Sequence, residues 1–306
     1  SSDIDEILNT NASFDSDDLS VGYHNISFRV MDDDGVWSDT VTVVLSIIEP
    51  SYEISDNHLA HWSFDEGQGT FAYDSSGRGN KGILQGNPQW VEGFSGGALD
   101  FDGTNDYVEV EDESTLDITE NMTISAWINL DNNEGDYYIV DKFSNDGMPD
   151  FSGYFFRIVP GEYYGRLNFG YGFGSGWVQS TSDTALYENE WYFVTATLEN
   201  GSIRLSINGN LDKSNSFSDN DISTNSNNLY IGAGGLGGSI DSYSNGTIDD
   251  VILWNRALSS TEIQELYDSY EISGDNNLPQ AFDISISPNP AYSNERVYFS
   301  ANYSDS

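Results

Sequence analysis

The sequence predicts an all-β fold, and three observations carry that reading. Aromatic residues make up 14% of the 306 residues and fall mainly in alternating runs shared with Val, Ile and Thr, the side chains that suit a pleated, half-buried surface. Asn200-Gly201 and Asn208-Gly209 separate such runs at the spacing of tight hairpins, whose central residues need positive φ. A helical period marks one short segment: Ile263, Leu266, Tyr267 and Tyr270 form a single apolar stripe behind Ser259 and Glu262, which have capping-box spacing. Such a helix is suited to lying on a sheet.

The strands follow from the same alternation. Met122–Leu130, Trp191–Leu198 and Ile203–Ile207 read as a meander closed by the two Asn-Gly turns. In the first of these, Met122, Ile124, Ala126, Ile128 and Leu130 share a core face, whereas Trp127 lies on the other face and is expected half-exposed. Nearer the N-terminus, Ile26 and Phe28, then Val41, Val43, Leu45 and Ile47, form two alternating runs around Asp34-Gly35, the pattern of a hairpin.

Charge narrows the partners. With 51 acidic and 10 basic residues the formal net charge is −41, which repels nucleic-acid phosphates and anionic membrane surfaces. The acids are scattered through turns and alternate strand positions, as on a folded surface, and attract divalent cations. There is no cysteine, hence neither a disulfide framework nor a thiolate metal site. No apolar run suggests insertion into a membrane. The chain starts and stops inside patterned segments, so a piece of a longer protein is expected.

Several motifs carry a family resemblance in their order along the chain: Ala60-His-Trp-Ser-Phe-Asp-Glu-Gly67, Asp74-Ser-Ser-Gly-Arg-Gly-Asn-Lys-Gly82, Gly97-Ala-Leu-Asp-Phe-Asp-Gly103, Glu190-Trp-Tyr-Phe, and Gly246-Thr-Ile-Asp-Asp-Val running into the capped helix. Residues 51–273 resemble the laminin-G-like domains, two-sheet jelly rolls of concanavalin-A type. The segment from Gly22 through Trp37-Ser38 resembles the last strands of a PKD-type immunoglobulin-like repeat, and the segment from Leu278 to Ser306 its opening strands. Partial repeats at 1–50 and 274–306 are therefore expected to flank the jelly roll. The resemblance implies a non-catalytic carbohydrate-binding module of a secreted or cell-surface protein, with a glycan or surface polysaccharide as partner; the alternative is a structural or adhesive spacer with a surface-protein partner or none.

Enzymes on this type of fold use Glu-x-Asp-x-x-Glu as paired carboxylates, and the nearest match, Glu134-Gly-Asp136, has Ile139 where the second glutamate belongs. His24, His58 and His61 form no zinc pattern, and Gly232–Gly238 lacks the Lys-Ser/Thr of a phosphate loop. Neighbouring first and last strands, which the jelly roll implies, bring Asp65 toward Asp249 or Asp250, with Asp74 and Asn80 nearby. Asp65, Asp74, Asn80 and Asp250 are thus candidate ligands for a structural calcium ion, or else cap turns through Asx hydrogen bonds. Sugar recognition needs exposed aromatic faces and polar forks. Tyr163, Tyr164, Tyr171 and Trp177, beside glycines, are the candidate platform. Arg157 and Arg166 either contact an acidic glycan or neutralise nearby carboxylates.

Overall fold

Alternation across Met122–Leu130 builds the centre of the molecule: Met122, Ile124, Ala126, Ile128 and Leu130 all enter the main core. The computed structural model describes residues 22–28, 41–47 and 58–274, apart from 133–134, 146–149, 161–164, 219–220 and 236–239. Glu53–Gly274 forms one compact unit. Outside it, Gly22–Phe28 and Val41–Ile47 pair antiparallel, with Gly22 opposite Ile47 and Phe28 opposite Val41. The Asp34-Gly35 turn and the segment read as a second repeat, beyond Gly274, lie outside the described residues.

Two layers of antiparallel sheet close over the core. In the back sheet, Met122–Leu130 lies between Trp191–Glu199 and Asn245–Trp254, and the order continues outward to Ser202–Ile207 and Asn210–Ser216 on one side and to Gly97–Asp102 and Gln89–Glu92 on the other. Both Asn-Gly turns form as the sequence predicts, with φ of 48° and 74° at Asn200 and Gly201 and of 49° and 75° at Asn208 and Gly209. The first strand of the unit, His58–Trp62, pairs with the last, Trp62 opposite Val251 and His58 opposite Trp254. The front sheet runs in the order Trp177–Ala185, Arg166–Gly172, Tyr154–Val159, Tyr137–Asp141, Leu229–Ile231, Tyr107–Val110, Gly82–Gln85, Phe71–Ala72.

Trp127 corrects the expectation of half-exposure, for it is 1% exposed. The helix Ser260–Gly274 covers that face, packing Ile263, Leu266 and Tyr270 onto Trp127, Phe193, Ile252 and Trp254, while Phe94 stacks on Trp127 at 3.4 Å. Each large apolar side chain buried there contributes about 1.5–3 kcal/mol. The helix starts where the capping box predicts: Ser259 N donates to Glu262 Oε2 at 2.7 Å, and Glu262 N donates to Ser259 Oγ at 3.2 Å.

Parity along the front sheet decides which aromatics reach solvent. Tyr154, Phe156 and Ile158, with Leu167, Phe169 and Tyr171 opposite them, point into the core. Phe155 and Arg157, opposite Gly170 and Asn168, take the outer face.

Candidate functional site

The outer face of the front sheet carries an aromatic pocket near one edge. Phe155 lies over Gly170, where a Cβ would come within 2.5 Å of the ring, so only glycine leaves room for it. Phe143, Phe155 and Trp177 then meet edge to face or tilted, with centroids 5.4, 6.1 and 6.3 Å apart. Trp177 is 41% exposed, and beside it opens a pocket of about 70 Å³ that Phe151, Asn145, Tyr138, Asp141, Arg157 and Gly235 also line.

The polar groups of this pocket are held by the protein. Arg157 donates from Nη1 to Asp136 Oδ1 at 3.1 Å and to the Tyr138 hydroxyl at 2.8 Å, and from Nε to Asn168 Oδ1 at 3.3 Å. Its guanidinium also lies 5.3 Å and 5.1 Å from the Tyr138 and Phe155 ring centroids, within reach of a cation–π attraction. Asp141 accepts from Phe143 N at 3.1 Å and Gly235 N at 3.0 Å. Burial pushes its carboxyl up to about 7 and Asp241 adds to the rise, although the two amide donors and Arg157 pull the other way. Gly235 follows the short strand Ala233–Gly234, which pairs with Ser242–Tyr243, and Ser244 Oγ donates to Tyr138 O at 2.9 Å. This hairpin therefore sits on the strand Tyr137–Asp141, and the pocket lies on its Trp177 side.

Of the residues proposed for ligand binding, Trp177 and Arg157 line this pocket. Tyr171 does not: it is fully buried in the core, because it shares the inward parity of Leu167 and Phe169. Arg166 stands at the opposite end of its strand and donates from Nη1 to Ser182 O at 3.0 Å. Tyr163 and Tyr164 lie outside the described residues. Tyr138, Asp141, Phe143 and Phe155 were missed. Alternation alone would have exposed Phe155 between Tyr154 and Phe156. Tyr138 and Asp141 share a face through an irregularity between Tyr138 and Val140, which no residue pattern announces.

The predicted ion ligands separate into two groups. Asp74 Oδ1 accepts from His61 N and Ser76 N at 3.0 and 2.9 Å, and Oδ2 accepts from Asn80 N and Nδ2 at 2.9 and 3.0 Å. Burial pushes this carboxyl up, but the bonds from Ser76, Asn80 and His61 outweigh it and hold it below the ordinary value. Asn80 Oδ1 accepts from Thr115 Oγ1 at 2.7 Å, and Nδ2 also donates to Leu59 O at 2.8 Å. Asp74 and Asn80 thus fasten a loop to the first strand, and their oxygens do not fit an ion.

Asp65, Asp249 and Asp250 sit together. Asp250 takes φ of 47° at an irregularity between Asp249 and Ile252, a left-handed position to which Asp is better suited than most side chains. His61 Nε2 lies 2.7 Å from Asp250 Oδ1, and the Tyr270 hydroxyl donates to the same carboxylate. Asp65 Oδ1 accepts from Gly97 N at 2.8 Å and Asp249 Oδ2 from Ser95 N at 3.1 Å. A side chain at Gly96 would strike Asp65 Oδ1, and one at Gly93 would come within 2.5 Å of Asp249 Oδ2, so the 93–97 loop wraps both carboxylates. Asp249 Oδ1 is buried without a donor. Burial, then Asp250 and Asp65, push Asp249 up to about 8; burial also raises Asp250, which His61 moderates. An orphaned carboxylate oxygen among like charges is the chemistry a cation would satisfy, although among the described residues no three His, Asp or Glu side chains converge as ligands.

The family model of the concanavalin A-like lectin/glucanases superfamily, in its laminin G form, matches residues 102–264, which is more than half of the chain. The chain belongs to that superfamily. No curated protein matches its sequence. Among solved structures it resembles domain 4 of AbnA, an extracellular GH43 arabinanase from Geobacillus stearothermophilus, in complex with arabinotriose, with a TM-score of 0.55, 20% identity and coverage of 69% of this chain and 98% of that one. It also resembles the binding domain of Paraclostridial Mosquitocidal Protein 1, with a TM-score of 0.56, 18% identity and coverage of 70% and 52%. For the botulinum neurotoxin serotype D binding domain the values are 0.53, 21%, 70% and 52%. The chain spans about half the length of those toxin domains. At these identities the likeness establishes the fold.

Proposed function

We propose that this concanavalin A-like domain is a non-catalytic carbohydrate-binding module of a secreted or cell-surface protein, and that it takes a neutral saccharide against Trp177. One observation carries the reading: Trp177 is 41% exposed at the mouth of an aromatic pocket whose charged side chains are already engaged. A sugar's apolar face stacks on such a ring. An acidic glycan would meet a net charge of −41 and an Arg157 already bonded to Asp136. Asp136 is ion-paired with Arg157 and both oxygens of buried Asp141 accept backbone amides, which supports the non-catalytic reading. The resemblance to an arabinanase domain solved with arabinotriose and to toxin binding domains supports a binding role. The test is an array of neutral glycans probed with the wild-type chain and with Trp177→Ala. Binding by the first and its loss in the second is expected; no binding by the wild type, or binding unchanged in the variant, overturns the reading.

We further propose that calcium binds at Asp249 and Asp65 as a structural ion, supported by the orphaned Asp249 Oδ1. With calcium at a hundredfold excess over its Kd, the ion would add about 2.7 kcal/mol, or roughly 5–10 °C in Tm for a domain of this size. A chelator should remove that increment from the wild type and leave Asp249→Asn unmoved; an unchanged wild-type Tm contradicts it. A spacer role is the second reading, favoured by the hairpin seated on the middle of the front sheet. It gains ground if the array is empty in calcium and in chelator alike.

A further inference from the structure

The geometry points to a neutral sugar bearing a methyl-ended substituent as the ligand, with the substituent in the hole beside Trp177 and the ring on the indole. This rests on the saccharide-binding reading above and adds the chemical class of the ligand.

Size decides first. A pocket of about 70 Å³ is roughly half the 150 Å³ of an apolar cavity that holds benzene. It is too small for a whole sugar ring and suits a group of a few heavy atoms. Lining decides next. Phe143, Phe151, Phe155 and Trp177 supply most of the wall, so a hydroxyl pushed between them would lose its water without gaining a partner, whereas a methyl gains dispersion contacts and leaves water. Several polar atoms of the wall are already engaged: both oxygens of Asp141 accept amides, and Arg157 Nε and Nη1 are bonded to Asn168, Asp136 and Tyr138. Asn145 adds a neutral amide to the lining, complementary to an acetamido group. Outside the hole, the exposed Trp177 face offers the ring its stacking surface.

Acetamido sugars and 6-deoxy sugars both present such a methyl to a protein, and matched pairs separate them. Isothermal titration of the full chain with triacetylchitotriose against cellotriose isolates the acetamido group, and L-fucose against L-galactose isolates the 6-deoxy methyl. At least one pair should favour its methyl-bearing member by roughly tenfold, the usual worth of a small group in an apolar pocket. Asn145→Phe puts a ring into the hole from a half-buried lining position and should erase that preference. Trp177→Ala should weaken both members of the pair. Saturation-transfer NMR on the wild-type chain needs no variant, and the methyl protons should receive the strongest transfer. Equal affinities within both pairs, a preference that survives Asn145→Phe, or transfer strongest to ring protons overturns the assignment. Flat titrations in all four arms alongside an empty glycan array would instead show that the saccharide reading itself has failed.

Discussion

Tyr171 and Trp177 are six positions apart in one aromatic-rich stretch, yet they have opposite fates. Tyr171 is fully buried and Trp177 is 41% exposed. Truncating each to alanine should separate packing from recognition. Tyr171→Ala should cost roughly 3–5 kcal/mol of stability by opening a core cavity. Trp177→Ala should cost less than about 1 kcal/mol of stability while lowering glycan affinity at least tenfold, about 1.4 kcal/mol. Denaturant melts and titrations on the same samples check both. Asp141 makes a pH prediction. Its folded carboxyl is raised from 3.8 to about 7, so between those values the folded state holds more protons than the unfolded one. The associated stability is complete below the unfolded value and is lost as pH rises through 7, at no more than about 1.4 kcal/mol per pH unit. Asp141→Asn should remove that share of the slope, so the difference in stability between variant and wild type should shift toward the variant from pH 4 to pH 8. A difference independent of pH would show that the carboxyl is not titrating there.

At the scale of elements, the hairpins and the helix were legible because their signals are local. Asn-Gly pairs set positive φ, and the Ser259/Glu262 box forms both reciprocal bonds. Ser259→Ala should cost about 1 kcal/mol, read as a lower denaturation midpoint with an unchanged slope. What covers a strand face is not local, which is why Trp127 looked half-exposed before the helix was placed over it. The two irregular strands were also illegible. An extra residue between Tyr138 and Val140, and another near Asp250, breaks the period of two, so acids that alternation would send to opposite faces end up together. Asp141 owes its face to the first irregularity and Asp250 its left-handed backbone to the second, and the candidate site depends on the first more than on any motif.

In the whole domain, the closing of the first strand against the last brings Asp65 to Asp249, and the front sheet presents its aromatic pocket on the opposite layer. The jelly roll was readable from ordered motifs that span the middle of the chain, because a sandwich core imposes its parity on every strand. The binding face was only half readable, since this front sheet carries aromatics on both sides and composition does not separate them. The molecule's acidity, by contrast, was plain from the outset and directs the account toward a neutral ligand. The most direct measurement is a titration followed by indole N–H resonances, with a neutral glycan selected on the array and the Trp177 signal assigned by its loss in Trp177→Phe. The Trp177 resonance should shift progressively to saturation while those of buried Trp62, Trp127 and Trp254 stay fixed. A saturating glycan that leaves Trp177 unmoved would place the binding surface elsewhere and contradict the account.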